Sequence, residues 1–327
     1  MKQSAAKPIL QLAQALLSSE LLPLATPARV GAVPLQSNRL FWRQSHNKVI
    51  FMVATLIALV MLSFISVAPT SAQNIIVVQS DSHLISGDGI CSLNEAIINA
   101  NNDAQTHNDC AAGSGADILD IQPDFIQVAF SYANYSGATG TPAITTEMTI
   151  QGNGVVLSGM NKGNRIFYVD STGTLTLENM TLANVNSTTL YGGVIHVATG
   201  GTLNVLNSTF DDNTANRAGA IWSYGNVVIA NSTFSNNTVS ENGGAIIGND
   251  NNNMIIVNST FWGNAAVSRG GAIYSARSTS QIDLHNVTIT NNSATVAGGG
   301  FRVNFGVINI YNSIISGNTS TNGAAEW

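Results

Sequence analysis

Few side chains in this sequence are of a kind that does chemistry, so their spacing decides what they could do. Asp211-Asp212 is a lone carboxylate pair, and paired acids serve general acid–base work or calcium binding when further groups converge on them. The equivalent downstream positions hold Ser235, Asn236, Trp262 and Gly263, which add no second pair. Arg217 and Arg269 stand near Glu241 and Asn242, a pattern that reads as solvated surface charge. Asp283 and His285 alternate on one strand face without a visible third partner. Cys91 and Cys110 are the two cysteines; two thiols make no zinc site alone, and His83 and His107 lack ligand spacing. No metal, cofactor or catalytic residue is therefore assigned. In an oxidising compartment Cys91 and Cys110 read as a disulfide. Trp222, Tyr274 and Trp262 could stack on sugar rings, but filling a gap between loop and sheet is the plainer reading.

The compartment follows from the N-terminus. Residues 49–67 carry no charge, Arg39, Arg43 and Lys48 precede them, and Pro69-Thr70-Ser71-Ala72 follows. A basic flank, an apolar run and a small-residue site describe a secretory signal cut between Ala72 and Gln73. The run is also long enough to span a bilayer, so an uncleaved anchor at 49–67 is the competing reading. Either way the later residues are placed outside the cytoplasm, secreted or at the cell surface. Residues 1–47 read as an unassigned or mis-started extension and 48–72 as the signal. The stretch 73–116 reads as an N-terminal cap and 117–327 as the main domain.

Composition narrows the class. Charged residues make up 9% of the 327, against about 25% in an ordinary soluble protein, while 44% are apolar. That excludes a disordered chain and a coiled coil. A net charge of −6 with no basic stripe excludes nucleic acid as a partner.

The elements that must position these residues are repeats. Asn-x-Thr-apolar begins at Asn179, Asn207, Asn231, Asn258 and Asn286, and loosely at Asn312. A second marker keeps the same beat: Gly192-Gly193, Ala218-Gly219, Gly243-Gly244, Gly270-Gly271 and Gly298-Gly299, each followed by apolar residues. Apolar residues sit four and two positions before each Asn and three after it. The buried parity thus changes at the Asn, which a continuous strand cannot do. A left-handed corner at Asn resolves the conflict. Each repeat then reads as a strand, an Asn corner, a second strand, a turn, and a third strand opened by the glycine pair. Stacked in parallel about 4.8 Å apart, such coils form a right-handed single-stranded parallel β-helix, an all-β fold. A further marker, three residues after the apolar position, is Asn213, Asn237, Asn264, Asn292 and Asn318, whose amides can bond from coil to coil.

Outward positions of the Gly-pair strands are read as Ala220, Trp222, Ala245, Ala272 and Tyr274, with no acid among them. The row Thr181, Thr209, Thr233, Thr260 and Thr288 projects from the second strand as a plain solvated face. The Asn-x-Ser/Thr sequons follow from the corner Asn in register rather than from glycosylation. Ser92-Leu93-Asn94-Glu95 has the form of a capping box and predicts one short helix, which is placed to cover the first coil.

Cys91-Ser92-Leu93-Asn94-Glu95-Ala96 resembles the Cys-Ser-Leu-Arg-Glu-Ala motif that opens many secreted bacterial β-helix proteins, with Asn94 in place of Arg. The Gly-Gly-Ala-Ile and Phe-x-x-Asn pairs resemble repeats of the chlamydial polymorphic outer-membrane proteins. Together the two resemblances cover residues 88–327. The second resemblance implies surface display and adhesion. With no converging acids in the repeats, the reading is adhesion or binding of host or environmental glycans or cell-surface molecules, without catalysis. The membrane enters only through 49–67. The alternative is a polysaccharide lyase or hydrolase of the pectate-lyase-like fold. The final residues to Trp327 stand inside a further Gly-Gly-type strand, with Glu326 at an inward place, and read as a fragment's end.

Overall fold

A computed structural model describes residues 74–82, 84–128, 132–134 and 137–322. The signal segment at 49–67, the Ala72–Gln73 cleavage point, His83 and Glu326 lie outside the described residues. Strands stack in four parallel sheets of nine, eight, six and six members, met in that order as the chain goes round each coil. One coil shows the pattern. Thr202–Leu206 lies in the first sheet, Thr209–Asp211 in the second, Thr214–Arg217 in the third and Ile221–Ser223 in the fourth. The next coil pairs with it in register, Leu203 on Val227 and Phe210 on Phe234. Tyr132–Asn134 and Gly137–Thr139 form an antiparallel hairpin apart from the stack.

The third sheet corrects the three-strand repeat expected from sequence. Its strands are two to six residues long, too short and too varied (Thr-Ala-Asn-Arg, Thr-Val, Ala-Ala) to stand out as a pattern. Four strands per coil need more corners, and the backbone supplies three left-handed ones. The first is the row Asn179, Asn207, Asn231, Asn258, Asn286 and Asn312, with φ between 48° and 55°. The second is Asn184, Asp212, Asn236, Gly263, Asn291 and Gly317; the third is Gly192, Ala218, Gly243, Gly270 and Gly298. Asn, Asp and Gly are the residues that tolerate this region, which explains much of the Asn surplus. The Asp212 of the acidic pair is thus a corner residue. Asp211 accepts from Ser235 Oγ (2.6 Å) and Asn236 Nδ2 (2.9 Å).

Inward rows build one core along the stack. Leu203, Val205, Phe210 and Ile221 of one coil are fully buried, as are their counterparts Val227, Ile229, Phe234 and Ile246. Phe210, Phe234 and Phe261 stack face to face with ring centroids 4.7 and 4.8 Å apart. Burying each such ring contributes about 1.5–3 kcal/mol. Immediately past the second corner, Asn213, Asn237, Asn264, Asn292 and Asn318 are buried, and the Nδ2 of each of the first four donates to the next Oδ1 at 2.9 Å. From Asn237 on, each Oδ1 also accepts from the preceding Asn backbone N–H at 2.9–3.3 Å, and Asn213 Oδ1 accepts from Val185 N–H at 3.2 Å. The first-corner Asn side chains form a looser, mostly exposed row, with Nδ2 donating back to the previous Oδ1.

The amino-terminal end is closed by a small assembly. β1 (Ile75–Val78) joins β2 (Asp117–Ile121) as the first strand pair of the nine-stranded sheet. Between them runs α1 (Leu93–Asn102), which packs on both. Its apolar stripe Leu93, Ala96, Ile97 and Ala100 enters the core. Ser92 Oγ accepts from the Glu95 N–H (3.3 Å), and Glu95 Oε2 accepts from the Ser92 N–H (2.9 Å), completing the capping box. Cys91 and Cys110 are disulfide-bonded, which ties the helix to the following loop and contributes about 3 kcal/mol on the chain-entropy account.

Candidate ligand-binding groove

The outer face of the fourth sheet carries the richest mixture of functional side chains. Its register stacks Tyr168, His196, Trp222, Ile247, Tyr274 and Arg302 in one row. Two residues on along each strand path stand Tyr224, Asn249, Ala276 and Asn304. Trp222, Ile247 and Tyr274 pack with Ala218 as a small apolar cluster separate from the core. This corrects the simple outward reading. Trp222 and Tyr274 do face out but are buried, while Ala220, Ala245 and Ala272 belong to the core. The corner at the third left-handed position turns these alanines inward beside the following Ile.

Over this floor lies a half-open cavity of about 370 Å³. Tyr191 stacks on Trp222 with centroids 4.7 Å apart, and the Arg217 guanidinium lies 5.0 Å from the Tyr191 ring centre. Arg217 is not the solvated charge expected from sequence: its Nε donates to Glu241 Oε2 at 2.6 Å, and both side chains are about two-thirds buried. On the opposite flank Arg277 faces Asp250 at 3.9 Å. Three buried polar atoms of lining residues, Trp222 Nε1, Asn249 Nδ2 and Asn242 Oδ1, meet no partner among the described residues. Such groups cost about 1–3 kcal/mol each when left unmatched.

Beyond the cavity the row continues into Tyr168 and His196, whose rings are 5.4 Å apart, with Tyr224 6.0 Å from His196. Burial, reinforced by the nearby Arg165 charge, pushes the His196 imidazole down to about 3, so it is neutral at physiological pH. Burial likewise lowers Arg165 to about 10, leaving it charged.

The remaining sequence candidates lie elsewhere. Asp283 accepts from Asn309 Nδ2 (2.7 Å) and Gln281 Nε2 (3.1 Å), while His285 stacks on Tyr311, all on the first sheet. Trp262 is 45% exposed on the second sheet, on a different face from Trp222 and Tyr274. The Thr181–Thr288 row is in register along that same second sheet. Among the described residues no cluster of three His, Cys, Asp or Glu is placed to hold a metal. No helix among them is long and apolar enough to cross a membrane. Sequence reading missed the groove because its row, His-Trp-Ile-Tyr-Arg, changes residue type at every coil. A repeat register averages such a row away. Its one legible signal was the aromatic pair Trp222 and Tyr274 at equivalent places.

Four parallel sheets, left-handed corners and an internal amide row define a right-handed parallel β-helix protein. Residues 164–326 match the family model described as right handed beta helix region. No curated protein and no solved structure matched the chain.

Proposed function

We propose that this is an exported β-helix protein that binds a glycan or a cell-surface molecule on its flank and leaves it chemically unchanged. The disulfide between Cys91 and Cys110 suits an extracellular setting. The observation that carries the binding reading is the groove across the fourth sheet, with its aromatic floor and its unmatched amide and indole groups. Glycoside cleavage asks for two carboxylates facing one bond across a gap. The carboxylates that reach lining residues, Glu241 and Asp250, face Arg217 and Arg277 instead.

The experiment presents the purified full chain to immobilised polysaccharides and to whole cells. Retention is measured alongside new reducing ends and unsaturated sugar products. Retention with no product is the expected result. Steady release of either product overturns the reading in favour of a hydrolase or a lyase.

A further inference from the structure

We infer that the groove takes a linear, uncharged oligosaccharide of about three hexose rings, laid along the solenoid axis across successive coils. This rests on the binding reading above and specifies its ligand. Length comes first. From Tyr224 through Asn249 and Ala276 to Asn304 the row crosses three coil steps, about 14 Å at the usual strand spacing. A hexopyranose in an extended chain advances by close to one such step, so each ring meets a fresh coil.

The polar groups then select the chemistry. Trp222 Nε1 and Asn249 Nδ2 are donors and Asn242 Oδ1 is an acceptor, and all three are neutral, buried and unmatched. A sugar hydroxyl both donates and accepts, so one ligand class answers both amides. Asn242 and Asn249 reach it by turning about a terminal torsion that is broad in Asn. The sugar rings lie along Tyr191, 41% exposed, while the buried Trp222 and Tyr274 form the packed floor that holds it in place. Charge argues against an acidic sugar. The two lining arginines already face Glu241 and Asp250.

Calorimetry of the full chain tests this, using linear gluco- and manno-oligosaccharides of one to five rings and uronic-acid oligomers of matched length. Affinity is expected to climb up to three rings and then level, with the uronates at least tenfold weaker. Asn249→Leu is expected to weaken binding by about fivefold to tenfold. The same variant raises the thermal unfolding midpoint, because an unmatched buried amide has gone. Tyr191→Ala weakens binding by a similar factor.

Affinity independent of length overturns the inference, as do tighter uronate binding through Arg302 or an Asn249→Leu protein of lower midpoint and unchanged affinity. If wild type and variants are retained equally on a polysaccharide, the groove is wrong and the binding reading stands. If no glycan or cell retains the wild type, the reading itself falls.

Discussion

Asn264 shows how much one side chain does in a stacked fold. Its Nδ2 donates to Phe234 O and to Asn292 Oδ1, and its Oδ1 accepts from both the backbone N–H and the Nδ2 of Asn237. Asn264→Ala removes all four bonds; Asn237 Nδ2 keeps Phe210 O and Asn292 Oδ1 keeps the backbone N–H of residue 264, but Asn237 N–H and Phe234 O lose these partners in a dry interior, where an unmatched group costs about 1–3 kcal/mol. The expected loss is at least about 3 kcal/mol, read from urea unfolding at fixed slope. Asn258→Ala, in the exposed corner row, loses its amide bonds where water replaces them. Its cost comes from the left-handed backbone, about 1–2 kcal/mol. The glycine pairs divide their labour in the same way. Gly243 holds φ +66°, whereas Gly244 gives room, since a Cβ there would fall 1.8 Å from Gly271 O. Gly244→Ala therefore forces two coils apart, and we expect a loss above about 3 kcal/mol, in the range of a severe backbone clash. Both Asn rows and the glycine pairs were legible in the sequence, because a corner or a ladder demands the same residue type in every coil. The second corner was not, since Asn, Asp and Gly alternate there.

At the level of elements, the amino-terminal helix gives the Cys-Ser-Leu-Asn-Glu-Ala segment a physical meaning. Glu95 is fully buried, and its carboxylate accepts from the Ser92 N–H and also from the Ser86 N–H at 2.8 Å. It therefore holds the helix start and the preceding loop together. Glu95→Ala leaves two donors unmatched and should cost about 2–4 kcal/mol. Ser92→Ala loses one cap bond and about 1 kcal/mol, so the order of the two unfolding midpoints checks the assignment.

The fourth sheet makes a pH prediction. His196 ionises near 3 in the folded chain and near 6.5 when unfolded, so the unfolded state takes up protons first as pH falls. The folded state then loses about 2–3 kcal/mol between pH 6.5 and 4.5. Asp117 and Glu178, both raised by burial, act with the opposite sign and favour folding as they become protonated. They do not mimic the His196 effect. A His196→Gln protein should show a flatter stability profile across that window, measured by urea unfolding at each pH. An unchanged slope would exclude His196 as its source. The third sheet, by contrast, was invisible in the sequence, because two-residue strands carry no periodicity of their own.

For the whole molecule, the poverty of charge is a consequence of stacking. Every outward residue has a counterpart about 4.8 Å away in the next coil, so a repeated charge would repel itself along the entire length. At that spacing two like charges cost about 1 kcal/mol in water and several times more where water is partly excluded. Asn, Thr and Ser rows avoid the cost and bond to one another, as Thr214 and Thr238 do at 3.0 Å. The register of Thr209, Thr233 and Thr260 on the second sheet allows a direct test. Replacing all three with Asp creates two adjacent like-charge steps and should destabilise by at least about 2 kcal/mol beyond the sum of the three single changes. High salt should recover most of that excess, because these side chains are only half-buried. Thr209→Lys, Thr233→Asp and Thr260→Lys together carry as many charges with alternating sign, and should be more stable than the all-Asp protein at low salt. Equal stability of the two triple variants at low salt would show that β-propensity sets the row's composition, and the stacking account of the 9% charge content would fail.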